Sequence, residues 1–326
     1  MHRANWFILI PLIFIVSGCS MPKISLFGGK AEPLKEYTLQ GTGDEKILVL
    51  SVDGSISTSP TGNMLRKHPS MVQQIAAYLK RAEQDPQVKV LLLKVNSPGG
   101  TVTASDILYH EIKSYKERTG VKMVVCMMNI AASGAYYISL PADFIMAHPT
   151  TLTGSIGVIF SRPSVSGLME KAGVSMQVNK SGAEKDMGSP YRLPTEAENA
   201  IFQKLTDDMA ERFQNLVLKH RQLTSDQQTQ ISSARIYLAE QAKSLGLIDG
   251  IGYLDDAIGQ AKKIAGLDEN AKVVAYRRYK IEDDTIYNPA IQLQDGDLET
   301  LFPLLAPLSA AAEADFYYIW PAVMGH

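Results

Sequence analysis

The stretch Val88–Gly100, with the sequence VKVLLLKVNSPGG, is an apolar run of strand length that ends in a glycine-glycine turn. Other apolar runs of similar length alternate with amphipathic stretches. In chain order the pattern is apolar Ile47–Val52, amphipathic Met71–Glu83, apolar Val88–Val95, amphipathic Ala104–Lys116 and apolar Val121–Met128. This alternation predicts β-α-β units around a largely parallel sheet. Because ligands of such sheets lie beyond the carboxyl ends of the strands, the residues that follow the apolar runs are the candidates for chemistry.

Ser133 is one such candidate, since it follows the run Val121–Met128 among small residues. A serine hydroxyl attacks a carbonyl group effectively only when a neighbouring base takes its proton. Lys185 can be that base, because the tight turn Ser181-Gly182-Ala183 delivers it to a fixed place and a lysine kept neutral by burial accepts a proton. Each residue alone is more typical of a turn or of a solvated surface. The pair therefore needs further support.

The segment Asn96-Ser97-Pro98-Gly99-Gly100 supplies that support. A glycine turn that leaves a buried strand offers backbone N–H groups that no side chain shields from a developing oxyanion. The N–H group of Gly134 lies directly after the candidate serine and can point at the same oxyanion. Nucleophile, base and oxyanion hole are then all present in the sequence.

These motifs resemble those of the signal peptide peptidases of the protease IV (SppA) type, which are serine peptidases with a Ser-Lys dyad. The resemblance runs from Ile47 to about Ala265 and includes the motifs Asn96-Ser97-Pro98-Gly99-Gly100, Ala131-Ala132-Ser133-Gly134, Leu152-Thr153-Gly154-Ser155-Ile156-Gly157-Val158, Ser181-Gly182-Ala183-Glu184-Lys185-Asp186 and Gly246-Leu247-Ile248-Asp249. It implies that Ser133 is the nucleophile, that Lys185 is the general base, and that the N–H groups of Gly100 and Gly134 form the oxyanion hole. Ser155 would accept a hydrogen bond from Lys185 and orient it, or would satisfy its own turn. The sequence leaves both interpretations of Ser155 open.

The same resemblance implies an α/β fold of the Clp-protease/crotonase-like class, built of repeated β-β-α units with one copy per chain. It also implies a serine endopeptidase that cleaves signal peptides or other unfolded apolar peptides through an acyl-enzyme. Its partners would be those peptides and further copies of the chain in a homo-oligomeric ring. The competing hypothesis is a catalytically silent scaffold of the same fold that binds peptides.

The amino terminus predicts secretion. Arg3 precedes an apolar run from Trp6 to Val16, and Val16-Ser17-Gly18-Cys19 resembles a lipobox. The run is too short to span a bilayer and has the length of a signal-peptide core. We therefore expect a lipidated Cys19 that anchors the chain to a membrane, with the peptidase domain in the cell envelope outside the cytoplasm. Ser20 after the cysteine differs from the aspartate that retains bacterial lipoproteins in the inner membrane, so it is compatible with outer-membrane anchoring. An uncleaved inner-membrane signal anchor is the alternative.

The predicted organisation has four parts: a signal peptide over 1–19, a tether over 20–45, the peptidase domain over 46–265 and a C-terminal extension over 266–326. Within the extension, Val273–Tyr279 is predicted as one more strand. The aromatic cluster Phe316–Trp320 is expected to pack on the core of its own chain, in preference to docking on a neighbouring subunit or a membrane.

Composition and motifs argue against other classes of ligand. The formal net charge of −2 gives no basic footprint, so nucleic acid is not an expected partner. The six histidines are dispersed without metal-ligand spacing, so no metal is expected. Gly99-Gly100 lacks the context of a phosphate-binding loop, so no cofactor is expected either.

Two further side chains suggest alternatives to the Ser-Lys pair: Cys126 as a nucleophile and His148 as a general base. Cys126 lies within the apolar run Val121–Met128, where burial as a small hydrophobic residue is the default. His148 would be the base of a Clp-like Ser-His-Asp arrangement, but it lies beside Pro149 at an expected strand end, and we favour the Ser-Lys pair.

Overall fold

The computed structural model describes residues 33–62, 67–288 and 315–321. Its strands are β1 (Lys35–Gln40), β2 (Lys46–Asp53), β3 (Thr61–Gly62), β4 (Lys67–His68), β5 (Val88–Ser97), β6 (Gly99–Thr101), β7 (Lys122–Ala132), β8 (Phe144–Ala147), β9 (Leu152–Gly154), β10 (Ile159–Ser161), β11 (Ile236–Leu238), β12 (Gly250–Ile251), β13 (Lys272–Arg277) and β14 (Asp315–Ile319). Its helices are α1 (Met71–Ala82), α2 (Val102–Thr119), α3 (Gly134–Ser139), α4 (Ser166–Lys171), α5 (Glu196–His220), α6 (Ser225–Ile231), α7 (Ala239–Ser244) and α8 (Leu254–Ala265).

The main sheet has the strand order β1-β13-β2-β5-β7-β8-β12. All neighbouring pairs along this order are parallel except β1 with β13. Beyond its pairing with β8, β7 also pairs in parallel with β9, which is in turn antiparallel to β11. The prediction of a largely parallel α/β sheet is therefore confirmed. Strands β5 and β6 and helix α2 follow one another as one β-β-α unit.

Both faces of the main sheet are buried, as expected for parallel strands covered by helices. In β5 the side chains of Leu91 and Leu93 belong to one core, and those of Val90 and Leu92 belong to the other, because successive residues of a strand point to opposite faces. The first core is covered by α1, α2, α3 and part of α5. The second is covered mainly by α8.

The main sheet extends beyond 46–265 in both directions along the chain. Strand β1 falls within the predicted tether, 20–45, and pairs with β13. Strand β13 falls within the predicted extension and lies between β1 and β2, where Val273 is opposite Ile47. The strand predicted over Val273–Tyr279 is thus confirmed as β13. Its position between β1 and β2, paired on both edges, explains why the fold needs residues beyond Ala265.

A second sheet has the order β10-β14-β6 and is antiparallel throughout. Its middle strand, β14, contains most of the aromatic cluster Phe316–Trp320, which therefore packs on its own chain as expected. Tyr318 is fully buried.

The predicted signal peptide and Cys19 lie outside the described residues. Over residues 33–62, 67–288 and 315–321, none of the helices has both the length and the apolar character needed to cross a bilayer.

The buried face of β5 should dominate the stability of the main sheet. Replacing Leu93, which is fully buried, by alanine removes apolar contacts and leaves a cavity. We expect Leu93→Ala to lower the free energy of unfolding by about 2–5 kcal/mol in urea titrations. Lys89→Ala, at an exposed position of the same strand, is the matched control and should change it by less than about 0.5 kcal/mol. Equal effects of the two substitutions would contradict this account of the core.

Candidate active site

Ser133 lies in the sharp connection between β7 and α3. Its backbone has φ 54° and ψ −115°, a conformation that costs a non-glycine residue free energy. The Ser133 N–H group donates to the Gly154 carbonyl oxygen at 2.8 Å, which helps to hold the connection in place. The side chain is 1% exposed, and its Oγ has no hydrogen-bond partner among the described residues. A buried hydroxyl group without a partner on a strained backbone is a strong candidate for a reacting group.

The backbone around Gly100 and Gly134 approaches so closely that side chains do not fit. A Cβ atom added to Gly100 would lie 1.9 Å from the Ile56 carbonyl oxygen. A Cβ atom added to Gly134 would lie 2.3 Å from Ser105 Oγ and 3.2 Å from the Gly100 nitrogen. The two amide groups predicted to form the oxyanion hole therefore border the same small space, directly beside Ser133.

The carbonyl group of Tyr318 lies at this space. Strand β14 pairs with β6 so that Tyr318 is opposite Gly100, and the Trp320 N–H group donates to the Pro98 carbonyl oxygen at 3.0 Å. Antiparallel pairs alternate between bonded and non-bonded, so the pair two residues away, Tyr318 with Gly100, is also a bonded one. The Gly100 N–H group thus faces the Tyr318 carbonyl oxygen.

The position of Gly134 agrees with this placement. A Cβ atom added to Gly134 would lie 3.0 Å from the Tyr318 carbonyl oxygen. A Cβ atom added to Gly99 would lie 2.0 Å from that oxygen and 2.8 Å from the Gly134 nitrogen. One peptide carbonyl group of the chain therefore lies next to both candidate oxyanion-hole amides.

Strands β6 and β10 form the two walls of a cleft that holds an extended segment, here β14. Phe316 stacks on Phe160 with ring centroids 4.5 Å apart. Two residues later on β14, Tyr318 stacks on Tyr137 at 5.2 Å. This alternation is typical of a bound strand that presents every second side chain to a pocket.

The pocket around the Tyr318 ring is aromatic, with Tyr137 on one side and Phe213 at 4.8 Å on another. The Tyr318 hydroxyl group donates to the Met209 carbonyl oxygen at 3.1 Å. Since Tyr137 lies four residues after Ser133 on α3, the same short helix carries a wall of the pocket and follows directly on the candidate nucleophile.

A hydrogen-bond network that includes Asp106 and Arg212 fixes the hydroxyl group of Tyr137. Its hydroxyl group donates to Asp106 Oδ1 at 2.6 Å, and the Arg212 guanidinium donates to the same oxygen at 2.8 Å. Partial burial opposes ionisation of Asp106, but the bonds from Arg212 and Tyr137 hold its pKa below its usual value. Burial and the bond to Asp106 raise the pKa of Tyr137, so this hydroxyl group stays a donor.

Lys185 lies in an exposed turn that follows Gly182, whose carbonyl oxygen accepts from the Lys185 N–H group at 3.2 Å. Its Nζ makes no hydrogen bond or ion pair in the part of the chain that the structure describes. A single chain thus brings Ser133, Gly100 and Gly134 together but does not bond Lys185 to Ser133.

Ser155 follows β9 and lies next to Gly154, the residue that accepts from the Ser133 N–H group. It is 8% exposed and has φ 53°, and its own N–H group donates to the Arg235 carbonyl oxygen at 2.9 Å. It makes no hydrogen bond with Lys185. Both interpretations of Ser155, orienting group or turn residue, therefore remain predictions.

Neither alternative, Cys126 as the nucleophile or His148 as the general base, has geometric support. Cys126 is fully buried in β7, and burial raises the pKa of its thiol to about 12. His148 Nδ1 is hydrogen-bonded to Thr150 Oγ1 at 2.8 Å, and its ring packs on Tyr253 at a centroid distance of 4.9 Å. Neither side chain contacts Ser133 through a hydrogen bond.

The aromatic pocket is the part of the site that the sequence did not reveal. Tyr137 could have been found from its spacing, since it lies one helical turn after Ser133. Tyr318 was recognised only as one member of an aromatic cluster. No local signal linked it to a glycine turn more than two hundred residues earlier in the chain.

Comparison with known proteins finds a matching family model and similar proteins. Residues 115–268 match the model of Peptidase family S49. A putative signal peptide peptidase SppA of Enterococcus faecium is 38% identical over 252 residues, which cover 77% of this chain and 73% of that protein. A putative protease of Synechocystis sp. is 36% identical over 75% of this chain and 80% of its own length. A solved ClpP1 mutant from Listeria monocytogenes aligns over 64% of this chain and 94% of its own, with 19% identity and a TM-score of 0.41.

The match with a putative signal peptide peptidase confirms the resemblance inferred from the motifs. The chain belongs to Peptidase family S49.

Proposed function

We propose that this protein is a serine endopeptidase in which Ser133 attacks extended peptides bound between β6 and β10. The observation that carries the proposal is the Tyr318 carbonyl group, which lies beside the Gly100 and Gly134 amides and next to the buried Ser133. A peptide carbonyl group in that position is where a scissile bond must lie for attack. The alternative, a silent scaffold, gives no reason for a strained serine with an unpartnered hydroxyl group.

The proposed reaction has two halves. Ser133 Oγ bonds to the substrate carbonyl carbon while its proton passes to Lys185, and the two amides stabilise the oxyanion. The peptide C–N bond then breaks, and Lys185 returns the proton to the leaving amine. In the second half Lys185 takes a proton from a water molecule whose oxygen bonds to the acyl carbon. The ester bond to Ser133 Oγ then breaks, the acid product leaves, and Lys185 returns the proton to Ser133 Oγ.

We assign Lys185 to the active site of a neighbouring copy in a homo-oligomer. Among the described residues, Ser133 Oγ has no hydrogen-bond partner that could act as its base, and Lys185 Nζ has no partner either. The segment around Lys185 also exposes large apolar side chains, with exposed fractions from 51% to 74% for Leu168, Val174, Met176, Val178 and Leu193. An exposed apolar patch of this kind is typical of a surface that docks on another protein. A ring in which each copy supplies Lys185 to the next would cover the patch and complete each site.

Helix α5 supports the same arrangement. Its apolar positions Phe213 and Val217 are fully buried, whereas Ile201 and Leu205 near its start are each 38% exposed. Apolar residues at intervals of three or four along α5 give the helix one apolar face. The amino-terminal half of that face is free in the single chain and suits contact with a second copy.

The substrate class follows from the cleft. Strands β6 and β10 accept an extended chain, so unfolded segments fit and folded domains do not. The pockets that hold Phe316 and Tyr318 favour large apolar or aromatic side chains, including one at the residue before the cleaved bond. Signal peptides and other unfolded apolar peptides are the proposed substrates. Lipidation of Cys19 would hold the enzyme at a membrane of the cell envelope, with the peptidase domain outside the cytoplasm.

Removing either member of the dyad should abolish turnover without unfolding the protein. We expect Ser133→Ala and Lys185→Ala each to lower kcat for a fluorogenic peptide with tyrosine before the cleaved bond by about 10³-fold or more. Lys89→Ala is the matched control and should retain parental kcat, because Lys89 is exposed on β5. Melting temperatures should agree among the variants. Full turnover by folded Ser133→Ala would rule out the proposal.

Mixed oligomers test whether the dyad forms between copies. Co-expression of Ser133→Ala with Lys185→Ala should restore activity, because an intact serine of one copy can meet an intact lysine of the next. In a random equal mixture about one quarter of the sites regain both groups. Each variant expressed alone is the control. A co-expressed mixture as inactive as the separate variants would place both groups of the dyad within one chain.

The segment β14 should compete with added substrate. Because it is tethered to the chain, its effective concentration at the cleft is on the order of millimolar. We expect Tyr318→Ala, which removes the ring from its pocket, to lower the apparent KM for the fluorogenic peptide by about threefold or more. Tyr287→Ala, at a 56% exposed side chain, should leave KM unchanged. An unchanged KM in Tyr318→Ala would show that β14 does not compete.

A further inference from the structure

The turn that carries Lys185 has little packing to fix it. The described residues 174–185 are all exposed, and the turn is closed by short backbone bonds such as Met187 N–H to the Glu184 carbonyl oxygen at 3.0 Å. A general base must nevertheless stay within hydrogen-bond reach of its target, and a displacement of about 1 Å can cost 10²-fold in rate. Something other than a buried core must therefore hold this turn.

Arg192 binds Asp186, the residue directly after Lys185. Its Nε donates to Asp186 Oδ2 at 3.0 Å, and its Nη2 donates to Asp186 Oδ1 at 2.8 Å. The same Nη2 donates to the Asp186 carbonyl oxygen at 3.2 Å. Both the side chain and the backbone of Asp186 are thus held by one guanidinium group. Lys180 adds a bond from its Nζ to Asp186 Oδ1 at 2.8 Å.

The other side of Arg192 is anchored to α5. Its Nη1 donates to Glu198 Oε2 at 2.9 Å, and its Nη2 donates to Glu198 Oε1. Glu198 is 3% exposed and also accepts from the Thr195 N–H group at 2.8 Å in the capping box that starts α5. Arg192 therefore connects the exposed turn to a helix that packs Phe213 and Val217 into the core.

Both carboxylates are charged in this arrangement. Hydrogen bonds from Arg192 lower the pKa of Asp186, with a further contribution from Lys180. Arg192 likewise lowers the pKa of Glu198, together with the bond from the Thr195 backbone. An arginine between two ionised carboxylates is a fixed planar fork, and lysine cannot reproduce its paired bonds.

We infer that Arg192 is a positioning residue for the general base, holding the Asp186 backbone so that Lys185 projects from a fixed point. This inference rests on the proposed function, because it assigns Lys185 to catalysis. Within the described residues of its own chain, Arg192 makes no hydrogen bond or ion pair with Ser133, β6 or β10, so the inferred effect runs through Lys185.

The first test compares Arg192→Gln, Arg192→Lys and Asp186→Asn in full-chain enzyme with the fluorogenic peptide. We expect Arg192→Gln and Asp186→Asn each to lower kcat about tenfold or more, with KM within about twofold of the parent. Arg192→Lys should fall between, because it keeps the charge and loses the fork. Arg118→Gln is the matched control, since Arg118 makes a paired contact with Glu83 at an exposed site and should leave kcat unchanged. Asp186→Asn keeps the test decisive if Arg192→Gln does not fold.

The second test asks whether Arg192 acts through Lys185. In a Lys185→Ala background, slow hydrolysis of an activated ester of tyrosine should be unaffected by adding Arg192→Gln, because there is no base left to position. The same fold loss in both backgrounds would overturn the inference. If Lys185→Ala abolishes peptide turnover and folded Arg192→Gln and Asp186→Asn keep parental kcat, only this inference fails. Full turnover by Lys185→Ala would remove the proposed dyad itself.

Discussion

The close approach of backbone to backbone at Gly99, Gly100 and Gly134 is the constraint on which the site depends. A methyl group at any of these positions would collide with a neighbouring polar atom, at 2.0, 1.9 and 2.3 Å respectively. The glycines let β6 lie against the start of α3, and the amides of both elements then face one space. The strained backbone of Ser133 costs about 1–3 kcal/mol, which the buried main sheet can support. The arrangement needs no side chain other than that of the serine, so it can be encoded in two short motifs.

Those two motifs could be predicted to meet because they follow neighbouring strands. Strands β5 and β7 are adjacent and parallel, with Ser97 opposite Ala131, so Gly100 and Ser133 leave the sheet side by side. The apolar runs predict both strands. Because the carboxyl ends of parallel strands lie at a common edge, the residues that follow the two strands are expected to meet there. The same logic could not place Lys185. Its turn follows no strand of the main sheet. In the arrangement proposed above, its position also depends on contacts with a second copy, which a single sequence does not reveal.

Strand β1 and the pairing of β14 could not be predicted from the sequence, for a different reason. Strand β1 has an irregular burial pattern, with half-exposed and exposed residues, so it resembles a linker until β13 pairs with it. Strand β14 is short, and its pairing with β6 spans more than two hundred residues of chain. Pairings between such distant segments have no local signature. Only the tertiary structure shows that the aromatic cluster Phe316–Trp320 lies between β6 and β10, beside the candidate site.

The position of β14 between two strands has a consequence for what can enter the cleft. Tyr317 is opposite Thr101 on one side and Ile159 on the other, so both edges of the bound segment are paired. Successive backbone amides of an entering chain must then form hydrogen bonds alternately with β6 and with β10. Proline or N-methylated residues within the central stretch would leave a bond unmade. A cleft paired on both edges would select for an uninterrupted run of ordinary amide backbone before any side chain is recognised, and an enzyme with such a cleft would leave proline-rich linkers uncut.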